Sequence, residues 1–559
     1  VSCAVRALDR NSSLADQTKH KRLVTVEAIS PRGSCVKNFA DKNRTKNNQR
    51  RNKQLKKFRA SLFALTALCL PLLPLAASAE TAPQKGGTLN IGVVSDPVTL
   101  DPAFFASYFE LYTQYLVYEP LLTMTPDLKV VPGIASYKQV DDLTYSFDIK
   151  PGVTFQDGTP YDAAAAKFNL DRMLDPKVGS PRRGDLGPVS SVDVTGPLSF
   201  TVKFSQPYAQ FPLVMTNRAG LFASPTALTK LGPDFAAKGV GAGPFKVDSW
   251  TKNGQLVLSA FDGYFKGKPP LDKIVIRPLP DETLRTASLK SGDVQLTDTV
   301  PPQSLASVKA DGSTNIADLA GLGFNAFSLN TTRAPFNDKK VRQALMYSVD
   351  RDVVNKVAFF NTGAPSYGPI PPPVSWAFDP SFKPYKRDIA KAKQLLADAG
   401  HADGVAFSIT VVASPLQLRT AQIIQAQAQE AGFKVSVKQV DATSLITVLQ
   451  KRDYDICYSP WSGRPDPDGN MFNYFTKTGP NNFAGYNSDE VDDLMHKARV
   501  SSSQDDRAKM YRQAQQIISD DAPMLFLHFD STLQGSSKKL HWTPYPDTAF
   551  RLGDAWLEH

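Results

Sequence analysis

The most constraining stretch of this chain is a run of three apolar segments separated by two helical ones, from Val405 to Ser459. Val405–Ala413 is apolar and β-branched. In Gln417–Ala431, Leu418, Ala421, Ile424, Ala428 and Ala431 recur at helical spacing, and Gly432 stops the helix because glycine tolerates φ > 0. Phe433, Val435 and Val437 then alternate with Lys434, Ser436 and Lys438, as in a strand. Asp441 or Thr443 can cap a short helix through Leu449, and Tyr454–Ser459 supplies a third strand. Strand–helix–strand–helix–strand requires parallel pairing with right-handed crossovers. Ligands of such sheets sit beyond the carboxyl ends of the strands. Trp461, Ser462, Arg464, Asp466 and Asp468 lie there and are candidate ligand-binding residues.

With 559 residues the chain exceeds a single core, so two or more domains are expected. Its formal charge of +10 is uneven. Residues 1–79 hold 16 Lys and Arg against 4 Asp and Glu, and the remainder holds 48 against 50. The basic excess is thus confined to the leader, which argues against a nucleic acid partner. Leu55-Lys-Lys-Phe-Arg-Ala60, the apolar Leu62–Leu75 and Ala77-Ser78-Ala79 form the three parts of a signal peptide (55–79), with cleavage expected after Ala79 and a periplasmic location. The apolar run is too short to span a bilayer, which takes about 20 residues. Residues 1–54 read as a non-native upstream extension: they are basic, rich in Asn and aperiodic, and no Met precedes Met124. Beyond the leader Cys457 is the single cysteine, so no internal disulfide is expected, and in its apolar strand it reads as a small buried hydrophobe.

The N-terminal half has a different texture. Short alternating segments with nearby turns, Thr144–Ile149 beside Pro151-Gly152 and Ser199–Phe204 beside Gly196-Pro197, suggest antiparallel hairpins. Asp162–Leu174 reads as an Ala-rich helix capped by Asp162, and Asp281–Leu289 as another helix, ended by Ser291-Gly292-Asp293. From about Phe336 helices dominate: one capped by Asn337 or Asp338, then Asp388–Ala399, Asp489–Ala498 and Asp505–Asp520, before an apolar strand at Ala522–Phe529. The fold class is α/β, as two lobes, the first carrying a partly antiparallel subdomain at about 124–220.

Catalytic patterns are absent. There is no phosphate-binding loop, no Gly-x-Ser-x-Gly and no pair of histidines at zinc-ligand spacing. The histidines beyond the leader, His401, His496, His528, His541 and His559, are scattered. Asp466-Pro-Asp-Gly-Asn470 fails as a calcium loop, because its glycine is early and Lys477 stands where a bidentate Glu is needed. The expectation is a non-enzymatic protein with no catalytic residues, no metal site and no cofactor. An exported hydrolase would need a nucleophile–base pair that no motif supplies.

Several ordered segments resemble one family. Gly86-Gly-Thr-Leu-Asn90 with Leu100-Asp-Pro102, Val117-Tyr-Glu-Pro-Leu121, Ile149-Lys-Pro-Gly-Val-Thr-Phe-Gln-Asp-Gly-Thr-Pro160 and Gly241-Ala-Gly-Pro-Phe245 with Trp250 belong to the set. So do Asn330-Thr-Thr-Arg-Ala-Pro-Phe-Asn-Asp-Lys-Lys-Val-Arg-Gln-Ala-Leu345, Gly485-Tyr486 with Val491-Asp492, and Asp521-Ala-Pro523. Together they resemble the periplasmic solute-binding proteins of peptide-type ABC importers, which include dipeptide, oligopeptide, glutathione and nickel binders. The resemblance implies a monomeric two-lobed clamp that closes on solute and delivers it to inner-membrane ABC permease subunits with their ATPases. It implies lobe I from residues 80–329 plus 530–559 and lobe II from 330–529.

The resemblance also suggests site residues. Ser107 and Tyr108 fall where the family presents solute contacts after its first strand. Arg218 lies near the expected mouth of the cleft, Arg419 near where peptide binders place a carboxylate-binding arginine, and Trp376 and Trp461 can stack on solute. Peptide binders of the family carry an aspartate shortly after the Trp-x-Gly of this loop, for the peptide's amino group. Here Trp461-Ser-Gly463 is followed by Arg464. A guanidinium there repels an ammonium and attracts a carboxylate, which favours a solute with an acidic group, glutathione-like. The alternative is that Arg464 pairs with Asp466 or Asp468 and only shapes the loop. A metal-chelate solute of the nickel type is a second reading of the same fold.

Overall fold

A computed structural model describes residues 83–105 and 110–559. The expected signal peptide (55–79), the expected extension before it, and the candidate site residues Ser107 and Tyr108 lie outside the described residues.

The backbone of the fold is a pair of long antiparallel strands, Thr314–Leu329 and Met524–Ser537, paired from Thr314↔Ser537 to Ser328↔Met524. They run through the middle of an 11-stranded sheet and give it two halves. On one side lies the parallel unit expected from the sequence. Val405–Val412 pairs in parallel with Phe433–Val440 and with Ile456–Tyr458, and the last of these lies antiparallel to Thr314–Leu329. On the other side Thr88–Val93 pairs in parallel with Lys273–Pro278 and Leu296–Thr297, and two antiparallel strands, Leu256–Ala260 and Phe245–Trp250, complete the edge. The pairing between the two long strands is interrupted between Ala320 and Phe324.

The helices that cover the sheet start where side chains can satisfy their free N–H groups. Ser414 accepts from the Gln417 amide, with Pro415 at the first helical position, so the helix Pro415–Glu430 begins two residues before the expected start. Asp388 caps Ile389–Asp398, Asp338 caps Lys339–Ser348 and Asp162 caps Ala163–Leu174. A separate antiparallel sheet orders Ala135–Asp141, Thr144–Ile149, Ser199–Phe204 and Val189–Val194 side by side. Phe147, Phe200, Phe211 and Tyr145 fill its core, the first two stacked at 5.0 Å. Gln156 ties this sheet's neighbourhood to the larger one. Its amide donates to the carbonyls of Val117, Gly243 and Phe245 at 3.0, 3.1 and 2.8 Å, and accepts from the Gly241 amide.

Cys457 is buried, and burial pushes its thiol up to about 12, so it is an unreactive core residue. No helix among the described residues is long and apolar enough to cross a membrane.

Candidate functional site

The loop after the strand Ile456–Tyr458 is shaped by its own sequence. Trp461 exchanges backbone hydrogen bonds with Phe324 at the interruption in the long strands. Gly463 has φ +77°, and a Cβ there would come within 2.0 Å of the Leu322 carbonyl oxygen, so only glycine can follow Ser462. Asn470 then gathers the loop: its Oδ1 accepts from the Arg464 amide at 2.7 Å and from the Trp461 indole at 2.8 Å, while its Nδ2 donates to the Arg464 carbonyl. A Cβ at position 469 would lie 2.6 Å from the Arg464 side chain, so Gly469 lets that arginine cross the helix start. Asp466 caps the helix Pro467–Phe475 by accepting from the Asp468 amide.

The carboxylates of this loop are already engaged. Asp466 accepts from Arg507 at 2.8 and 2.9 Å, and both side chains are buried. Asp468 accepts from Arg499 at 3.0 and 2.6 Å and from the Gln210 amide at 2.6 Å. Arg464 pairs with neither aspartate. Its Nη1 donates to the Gly463 carbonyl at 2.7 Å and to Ser462 Oγ at 3.3 Å, and its guanidinium lies 4.4 Å from the centre of the Trp461 ring. Of the two roles open from the sequence, pairing within the loop is therefore not the one this geometry adopts.

Arg464 faces a cavity whose opposite wall comes from the N-terminal half of the chain. That wall includes Arg182, Asp185, Tyr208, Gln210, Asn217 and Arg218. Arg182 donates to Asp185 at 2.5 Å, and Tyr208 donates to the Asp185 carbonyl at 3.0 Å. Arg218 is only 5% exposed, and its Nε has no hydrogen-bond partner among the described residues. Burial, and then the charges of Arg464 and Arg182, hold Arg218 down to about 10. Burial likewise lowers Arg464. Arg182–Asp185, Arg499–Asp468 and Arg507–Asp466 balance one another, whereas Arg218 and Arg464 have no carboxylate partner among the described residues. The cavity therefore carries an excess of two positive charges, suited to an anion with hydrogen-bond acceptors.

The walls also touch. Gln210 donates to Asp468 from one side to the other, and the Ala209 amide donates to the Arg499 carbonyl at 3.4 Å.

The sequence-based candidates separate on this geometry. Arg218, Arg464, Asp466 and Asp468 line the cavity, the two aspartates with their oxygens spent on arginines. Trp461 stands behind Arg464, with its indole N–H held by Asn470, and Ser462 is exposed beside it. Trp376 packs with Tyr511 and Arg507 behind the loop and does not line the cavity. Arg419 also stands outside the lining. It lies on Pro415–Glu430 against Phe360, with its guanidinium 5.2 Å from that ring and 3.5 Å from the Ala358 carbonyl. Sequence reasoning missed Arg182, Asp185, Tyr208 and Gln210. Arg182-Arg183 between Pro181 and Gly184 was a visible signal, a charge pair in a turn, with nothing in the sequence to place it opposite Arg464.

Residues 129–483 match the profile of the bacterial extracellular solute-binding proteins, family 5. The chain belongs to this family. It is a solute-binding protein, and its sheet and helices take the family's two-lobed form. It is similar to the glutathione-binding protein GsiB of Escherichia coli O1:K1 / APEC, at 30% identity over 486 residues, 84% of this chain and 94% of that protein. The GsiB of Salmonella paratyphi A is 29% identical over 513 residues, 88% and 99% of the two chains. Among solved structures, the substrate-binding protein CtaP of Listeria monocytogenes is 26% identical with a TM-score of 0.78, covering 85% of this chain and 100% of that one. AgaA of A. tumefaciens R10, solved with agropinic acid, is 27% identical with a TM-score of 0.72, covering 85% and 99%.

Proposed function

We propose that this protein captures a small peptide-like or amino-acid-derived solute through an acidic group and hands it to an inner-membrane ABC permease. The observation that carries the reading is Arg464, a half-buried guanidinium with no carboxylate partner among the described residues, facing a cavity that Arg218 also lines. Similarity to glutathione-binding proteins supports it, since glutathione is a tripeptide with two free carboxylates.

Capture works by closure. The long strands Thr314–Leu329 and Met524–Ser537 connect the two halves, and the interruption at Ala320–Phe324 is where bending costs fewest ladder hydrogen bonds. Solute that touches both walls stabilises the closed form by its differential affinity for it. The permease then reads that form. The protein acts as a monomer in the periplasm and leaves its solute chemically unchanged.

The test is isothermal titration of wild type and Arg464→Ala with glutathione and with its C-terminal amide. A charge-assisted contact is worth about 1.5–3 kcal/mol, so the substitution weakens the acid by roughly 10- to 150-fold and the amide far less. Equal weakening of both would mean that Arg464 serves the loop and not the solute.

A further inference from the structure

We infer that Arg218 is a second charge-selecting residue, set against Arg464 across the cavity, so that the empty clamp resists closing and a solute offering negative charge to both arginines lets it close. The inference rests on the acidic-solute reading above and adds a second partner for the solute and a condition on closure.

The two arginines come from separate parts of the chain. Arg218 opens the short turn Arg218–Gly220, where the Asn217 side chain accepts from the Arg218 amide. Arg464 comes from the loop fixed by Asn470 and Gly463 on the other wall. Neither has a carboxylate partner among the described residues, while the other arginines of the cavity wall do. Arg218 has little room to swing into solvent, because only 5% of it is exposed. In an open cleft, water and salt screen the two charges from each other. As the walls approach and water leaves, the same charges repel more strongly. Closure without an anion is therefore opposed by the very residues that select the solute. A neutral solute leaves the opposition in place. A solute with two negative groups meets one guanidinium with each and removes it.

A wall-building role for Arg218 would predict the same loss of affinity on substitution, so the test reads the solute-free protein. Small-angle scattering at low salt compares wild type, Arg218→Gln, Arg464→Gln and Arg218→Lys. The expected result is an extended wild type, a smaller radius of gyration for both glutamine variants, and a wild-type radius for Arg218→Lys, which keeps the charge. Raising salt from about 20 mM to about 0.5 M should compact the wild type and leave the glutamine variants unchanged, because screening replaces what the substitutions remove. Circular dichroism melts identify any variant that has lost its fold. If Arg218→Gln does not fold, Arg464→Gln and the salt response of the wild type decide.

Glutathione and its two single amides provide the second arm. Each amide should bind wild type at least tenfold more weakly than the diacid. Arg218→Gln should erase discrimination at one carboxylate and Arg464→Gln at the other. Folded glutamine variants that keep the wild-type radius at all salt concentrations overturn the inference even if glutathione binds. Compaction of those variants with no glutathione binding to wild type upholds the opposed charges and removes the acidic-solute reading instead.

Discussion

Gln210 offers a way to weigh closure separately from solute contact. Its Nε2 carries two hydrogens and spends both: one goes to Tyr208 Oη at 2.7 Å on its own wall, the other to Asp468 Oδ2 at 2.6 Å on the facing wall. Only the second bond depends on the walls being together. Asp468 is already neutralised by Arg499 through two contacts, so the bond from Gln210 falls at the lower end for a hydrogen bond to a charged group. About 1–1.5 kcal/mol is reasonable, which lowers the closed-to-open ratio of Gln210→Ala by about 5- to 12-fold. Where the closed form is a minor state without solute, apparent affinity falls by the same factor. Isothermal titration with any bound solute measures it, and the melt of the solute-free protein serves as control. The expected outcome is weaker binding with a nearly unchanged melt. Gln210→Glu should weaken binding further, because it sets a second carboxylate against Asp468. Unchanged affinity in Gln210→Ala would show that this contact is absent from the solute-bound state, and a melt that falls as far as the affinity would mean that Gln210 serves the fold through Tyr208.

Three further outcomes follow from the loop and the long strands. Asp466→Ala should lower the melting temperature sharply, because it strips the helix Pro467–Phe475 of its cap and leaves Arg507 buried without its partner, a loss of roughly 3–5 kcal/mol that thermal denaturation detects. Gly463→Ala should abolish solute binding, since the loop cannot keep φ +77° with a Cβ against Leu322; a variant that binds normally contradicts the account of how Arg464 is placed. Asp530, held by Asn325 Nδ2 at 2.5 Å, is pushed up to about 7 by burial, with that hydrogen bond acting the other way. A carboxyl raised in the fold favours folding below its unfolded value near 4, and that contribution is lost as pH rises through about 7. Asp530→Asn should accordingly melt higher than wild type at pH 8 and nearly level with it at pH 4.

Legibility followed the range of the forces involved. The parallel unit could be read because its signals are local: alternation in Phe433–Val440, a helical stripe through Ala421, Ile424 and Ala428, and Gly432 after it. The longest strand, Thr314–Leu329, could not. From Leu322 onward it is buried on both faces, so it has no alternation to show, and its partner lies some two hundred residues away. The end of the strand Met524–Ser537 was hidden in the same way, its polar half from Asp530 pairing with the exposed stretch of Thr314–Leu329. At the site, Arg464 could be picked out as a cation in an acidic loop, but its freedom depended on Arg499 and Arg507, which reach Asp468 and Asp466 from later helices. Arg419 shows the reverse case. A position that looked right by resemblance lies on a helix packed against Phe360 and outside the cavity lining.

That Arg218 and Arg464, which have no carboxylate partner among the described residues, select an acidic solute is most directly tested by native mass spectrometry of freshly purified protein, followed by release and identification of whatever co-purifies. The expected result is a single small solute bearing at least one free carboxylate, lost from Arg464→Ala under the same purification. A neutral or purely cationic solute retained equally by wild type and Arg464→Ala would contradict it.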